Sequence, residues 1–149
     1  MSPQNPIVEK MGKTREEHLE LTQYLANLMS IKVNDFEIFQ RFKRMTSGVD
    51  TTAQKLKLDP LEPGYIYVIT HISGIDVTDA AHQVRLGYID GVTDVVLNSA
   101  TVANAGDSVE YVGQVFLKET DVIFAEFRSA GASDEIQLNV NGYRIRTGT

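Results

Sequence analysis

Apolar side chains recur at every second position through the last 85 or so residues of the chain. They come in short runs separated by Gly, Asp, Asn and Ser. That period places alternate side chains on opposite faces of a strand, so the runs read as strands with one buried face. The expected strands cover 65–72, 82–89, 92–97, 108–117 and 121–127, followed by a last one carrying Ile136, Leu138 and Val140. Residues 54–58 alternate too and could add a first strand. Val84, Leu86 and Tyr88 share a face, as do Val109, Tyr111, Val115 and Leu117, and Ile123, Ala125 and Phe127. Asp90-Gly91 is a strong hairpin turn pair. Parity changes after Val140, because Tyr143 and Ile145 are odd, so a β-bulge is expected at Asn141-Gly142. Many short strands at this spacing predict a mainly β fold, an antiparallel sandwich of the jelly-roll kind. Its expected core includes Ile66, Val68, Leu86, Val115, Phe124, Ile136 and Leu138.

The first 59 residues read differently. Residues 1–13 hold two prolines, Gly12 and polar residues, and are expected to form a flexible arm. Thr14-Arg15-Glu16-Glu17 matches a helix capping box. Leu21, Tyr24, Leu25 and Leu28 follow at i, i+3, i+4 and i+7, which predicts an amphipathic helix over about 15–30. Asn34-Asp35-Phe36-Glu37 repeats the cap. Phe36, Ile38, Phe39, Phe42 and Met45 fall at helical spacings, which predicts a second helix over about 35–46. Arg41, Lys43 and Arg44 would suit its negative C-terminal pole. Asp59-Pro60-Leu61-Glu62-Pro63-Gly64 marks the expected boundary. The organisation expected is thus an arm (1–13), a helical attachment segment (14–59) and a β-sandwich (60–149). Leu21, Tyr24, Leu25, Leu28, Phe36, Phe39 and Phe42 are its candidate interaction residues.

Composition narrows the function. The 149 residues include no cysteine, which excludes disulfides, thiolate catalysis and cysteine zinc sites. Residues 1–63 hold nine basic and nine acidic side chains, so the net charge of −6 belongs to residues 64–149. An acidic β domain repels phosphate backbones, so no nucleic-acid partner is expected. No apolar run approaches the roughly 20 residues that span a bilayer. The N-terminus lacks the pattern of a signal peptide, which predicts a soluble protein made in the cytoplasm.

Candidate chemistry is sparse. His18, His71 and His82 form no ligand pair, and no serine elbow or phosphate loop is present. Asp76, Asp79, Asp90 and Asp94 lie on loops. Turn formation explains them, and calcium between the two loops is the alternative. No catalytic residue, cofactor or metal is expected. Tyr65, Tyr67, Tyr88, Tyr111 and Tyr143 serve either core packing or a sugar-binding face.

The stretches Pro63-Gly64-Tyr65-Ile66-Tyr67-Val68-Ile69, Leu117-Lys118-Glu119-Thr120-Asp121-Val122-Ile123 and Asn141-Gly142-Tyr143-Arg144-Ile145 resemble the small β-sandwich and jelly-roll structural proteins of tailed bacteriophages. These are capsid decoration or cement proteins and related collar and head-fibre proteins. The resemblance covers about residues 60–146. It implies a non-enzymatic, homo-oligomeric virion protein made in the host cytoplasm. Its partners would be major capsid, portal or collar subunits. A carbohydrate- or receptor-binding module is the rival reading, and a small hydrolase the least supported.

Overall fold

The computed structural model describes residues 20–23, 36–49 and 52–147. Residues 20–23 form one helical turn. The rest of the expected 15–30 helix, with Tyr24, Leu25 and Leu28, lies outside the described residues, as does the 1–13 arm.

Eight strands follow: β1 (Phe36–Thr46), β2 (Ala53–Lys57), β3 (Tyr65–Asp76), β4 (Gln83–Asp90), β5 (Thr93–Ala100), β6 (Ser108–Leu117), β7 (Val122–Arg128) and β8 (Glu135–Arg146). One sheet has the order β1-β8-β3-β6 and the other β2-β7-β4-β5. β4 pairs with β5, β3 with β6, β2 with β7 and β1 with β8. The chain is therefore one long hairpin, bent between β4 and β5 and rolled up. The ladders β3·β8 and β4·β7 complete the sheets. Two four-stranded sheets in this order make a jelly-roll sandwich.

The expected second helix is a strand. In a strand every third residue falls on alternating faces, so Phe36 and Phe42 point one way and Phe39 and Met45 the other. Phe39 is buried edge-on against Tyr67 with ring centroids 5.1 Å apart, whereas Phe36 and Phe42 are exposed. A strand apolar on both faces thus produces a period of three that resembles a helix. The basic residues serve no helix pole. Lys43 donates to the Lys57 carbonyl at 2.7 Å, Arg44 faces Glu135 at 3.6 Å and Arg41 lies over the Phe39 ring at 4.6 Å. β1 and β2 accordingly belong to the two sheets, and the 59–64 stretch is a crossing between them. Leu58 and Leu61 there are buried, with Leu61 N donating to Asp121 O at 3.0 Å.

The core between the sheets holds Leu56, Tyr67, Ile69, Ile72, Val84, Leu86, Ile123, Phe127, Ile136 and Leu138. Of the expected core, Leu86, Ile136 and Leu138 lie in it and Val115 packs against it. Val68 and Phe124 are buried on the outer faces instead, since their neighbours Tyr67, Ile69, Ile123 and Ala125 take the inner side. Ile66 is 45% exposed.

The irregularity expected at Asn141-Gly142 lies at that level of the sheet, on the opposite strand. Ile69 pairs with Gly142 and His71 with Asn141, which leaves Thr70 as the inserted residue. β8 keeps its parity throughout. Tyr143 and Ile145 face outward, and Arg144, opposite Tyr67, takes the inner side.

Candidate functional site

The two outer faces of the sandwich differ in chemistry. On the β2-β7-β4-β5 sheet, Phe124 pairs in register with Gly87 and Lys57, and the Lys55 ammonium lies over its ring at 4.7 Å. Lys55 also contacts Asp94 at 2.5 Å. Beside them Glu126 receives Arg85 and Arg128, each at 3.1 Å, and Gln83 donates to Ser99 at 2.8 Å. Paired charges and amides cover this face.

The outer face of the β1-β8-β3-β6 sheet is apolar at one end. Val68 pairs with Tyr143 on one side and Phe116 on the other, and Ile66 pairs with Ile145. β1 adds Phe36, Ile38 and Phe42 at its edge. Ile38 is 81% exposed, Val112 76% and Phe116 69%, while Phe42, Ile66 and Phe36 are about half exposed. These six are the large apolar side chains that this sheet exposes on its outer face. The rest of the face is polar: Gln137, Asn139 and Asn141 on β8 and Ser73 on β3, with Arg44 facing Glu135 at 3.6 Å and His71 facing Glu110 at 3.5 Å.

A charged cluster braces the apolar end. Arg144 donates Nε to Glu37 at 2.8 Å and an amino group to Glu62 at 3.1 Å, with its guanidinium 4.0 Å from the Tyr65 ring. Arg146 reaches the other Glu37 oxygen at 3.3 Å. The hydrogen bond from Arg144, followed by that from Arg146, lowers the Glu37 pKa although desolvation opposes it. Burial works against the charge on Arg144, but its bonds to Glu37 and Tyr67 outweigh it and raise the pKa. The cluster ties β1, β8 and the 59–64 crossing together. Arg144→Met should therefore destabilise the sandwich, because Glu37 and Glu62 lose their shared partner. The penalty should shrink on acidification as Glu37 protonates: its depressed pKa supplies stability above the unfolded value that is lost as pH falls. Urea unfolding at neutral and acid pH checks both.

The expected interaction residues are only partly brought together. Phe36 and Phe42 lie on the apolar face, Phe39 is in the core and Leu21 is 40% exposed on the helical turn. Ile38, Ile66, Val112 and Phe116 were not expected there. For Ile66 the signal was available: 65–72 is apolar at odd and even positions alike, and a strand of that kind has two apolar faces.

The four loop acids do not meet. β4 separates Asp76 and Asp79 from Asp90 and Asp94 by about 25 Å at strand rise. Asp90 pairs with Lys118 at 3.0 Å and Asp94 with Lys55, while Asp76 Oδ1 accepts the Thr78 and Asp79 amides in a turn. Among the described residues, no three His, Asp or Glu side chains gather as a metal cluster. His71 lies 3.5 Å from Glu110 and 3.4 Å from Asn141. Tyr67 is buried and Tyr65, Tyr88, Tyr111 and Tyr143 are half-buried, so the tyrosines form no exposed platform.

No family model matches the chain, and no curated protein matches it in sequence. Solved structures align with it at low identity. A Bacillus endospore appendage protein, from a family of disulfide-linked pili, is 14% identical with a TM-score of 0.46, over 76% of this chain and 89% of that one. The extra small virus of the prawn Macrobrachium rosenbergii gives 12% and 0.40, over 73% and 79%. Murine APRIL gives 13% and 0.41, over 71% and 98%. All three scores fall below 0.5, so the fold assignment rests on the strand order of this chain.

Proposed function

We propose that this chain is a non-enzymatic structural subunit of a tailed-phage virion, decorating or stabilising the capsid or collar as a homo-oligomer. The observation that carries an assembly role is the contrast between the outer faces. One carries paired charges across its surface, while the other leaves Phe36, Ile38, Phe42, Ile66, Val112 and Phe116 open to solvent. Its occupant is the same face of a second copy. Apolar surface is complementary to itself, and two such faces would meet without burying the charges of the other sheet. The virion setting rests on the resemblance in residues 60–146, and the jelly roll is compatible with it. Residues 1–35, with the apolar stripe of Leu21, Tyr24, Leu25 and Leu28, are the arm that grips capsid, portal or collar subunits. The arm ends before β1, so removing it leaves all eight strands.

Two variants test this. Ile38→Glu/Phe116→Glu places charge on exposed side chains and should melt near the parent while native mass measurement finds only monomer. A chain lacking residues 1–35 should fold and self-associate but fail to join particles seen by electron microscopy. An Ile38→Glu/Phe116→Glu chain that still forms the parent oligomer would overturn the face. Full occupancy by the shortened chain would overturn the arm.

A further inference from the structure

Two acidic side chains are buried together at the end of the sandwich, away from the apolar block. Asp76 closes β3 and is 1% exposed, while Asp134 precedes β8 and is 5% exposed. Backbone amides bond one oxygen of each carboxyl. Asp76 Oδ1 accepts the Thr78 and Asp79 amides at 3.1 and 3.0 Å, and Asp134 Oδ2 accepts the Gly131 amide at 2.7 Å. Asp76 Oδ2 is buried with no hydrogen-bond partner. Two carboxylate oxygens cannot bond each other unless one carries a proton. No lysine, arginine or histidine forms an ion pair with either acid among the described residues. The other charged groups on the packed elements are Asp79 after β3, Asp107 on the 104–107 turn, and Glu135, which faces Arg44 at 3.6 Å.

The same place joins three segments. Ser47, just past β1, donates its hydroxyl to Gly131 O and accepts the Asp134 amide at 2.9 Å, while Ser47 N donates to Asp134 O at 2.8 Å. Val77 N donates to Glu135 O at 2.9 Å, and Gly106 N donates to Asp76 O at 2.8 Å. A charge forced onto Asp76 would strain all of these.

We infer that Asp76 and Asp134 share one proton, forming an acid-closed clasp that binds the ends of β1 and β3 to the 129–134 loop and loosens as pH rises. Burial, then the neighbouring Asp134, raises the Asp76 carboxyl to about 6. The folded chain then holds a proton that the unfolded chain has released. The clasp stabilises fully below about pH 4, and its contribution is lost as pH climbs from about 4 to about 6. A shift of about two units corresponds to a change of roughly 100-fold in the folding equilibrium.

Urea unfolding of the full chain between pH 4.5 and 7.5 tests the clasp, using Asp76→Asn as a permanent copy of the protonated acid. Its amide keeps the acceptor for Thr78 and Asp79 and offers Asp134 a donor. The parent should lose roughly 25-fold in folding equilibrium over this range relative to the variant, which should be the more stable at pH 7.5. Carbon-13 NMR should place the Asp76 carboxyl midpoint near 6. Asp134→Asn should lower that midpoint toward ordinary carboxylate values. Parallel pH profiles for parent and Asp76→Asn would overturn the clasp, as would a midpoint near 4. Millimolar calcium at pH 7.5 gives the remaining arm. Stabilisation by calcium that magnesium does not match and Asp76→Asn abolishes would make the pair a cation site and overturn proton sharing. Equal effects of the two salts support it.

Discussion

Gly142→Ala should be among the most damaging single changes in the sandwich, costing about 4 kcal/mol or more, in the far tail of point-mutant effects. An added Cβ at Gly142 would stand 2.2 Å from Val68 O and 2.9 Å from Ile69 Cα. Both obstacles are backbone on the adjacent strand, so no rotamer change relieves the clash. The inserted Thr70 at this level brings the two backbones together, and β3 is the strand that β6 and β8 both pair with. Marginal stability of about 5–15 kcal/mol leaves little after such a loss. Gly91→Ala is the matched control. Gly91 has φ +64° with nothing within 4 Å of an added Cβ, so only left-handed strain remains, about 1–2 kcal/mol. Urea midpoints of the two variants should differ widely. Equal losses would mean that the β3·β8 contact is looser than described.

Leu138→Ala should cost about 2–5 kcal/mol, toward the upper end. Leu138 is fully buried and pairs with Gly74 on β3. Gly74 has no side chain to move into the vacated space. A Cβ built there would already meet Leu86 and Val84 at 3.0 Å and Ala125 at 3.3 Å. The surroundings are therefore rigid and the cavity would persist. A loss near zero in equilibrium unfolding would place Leu138 outside the core.

Strands with one wet face were legible in advance. Residues 108–117 become β6 at those bounds, with Val109, Tyr111, Val115 and Leu117 on the inner side as their spacing implied. Ile123, Ala125 and Phe127, and likewise Ile136, Leu138 and Val140, face the core as their spacing implied. The turn at Asp90-Gly91 was equally plain. The reading failed where both faces are apolar. In β1 the outward Phe36 and Phe42 interleave with the inward Phe39 and Met45, and the sum imitates a helix stripe. The second apolar face of β3 was taken for core at Ile66 for the same reason. Local pattern also could not say on which strand the extra residue near Gly142 would fall, because a bulge is a relation between two strands. The Asp76–Asp134 pair was hidden more deeply. Each looks like a turn former in its own neighbourhood, and only the β3·β8 register joins them.

The nested pairing of first strand with last constrains how the chain can be made. During synthesis β4 and β5 can join as soon as their short turn emerges, followed by β3 with β6 and β2 with β7. β1 leaves the ribosome first of the eight described strands, and its partner β8 leaves last. Closure must await the other six, and so many distant contacts fold slowly, in milliseconds to seconds. Throughout that interval β1 carries Phe36, Ile38, Phe39 and Phe42 with an unpaired edge, the combination most prone to join a wrong chain. Messages truncated before β8 should therefore yield aggregates rather than smaller domains.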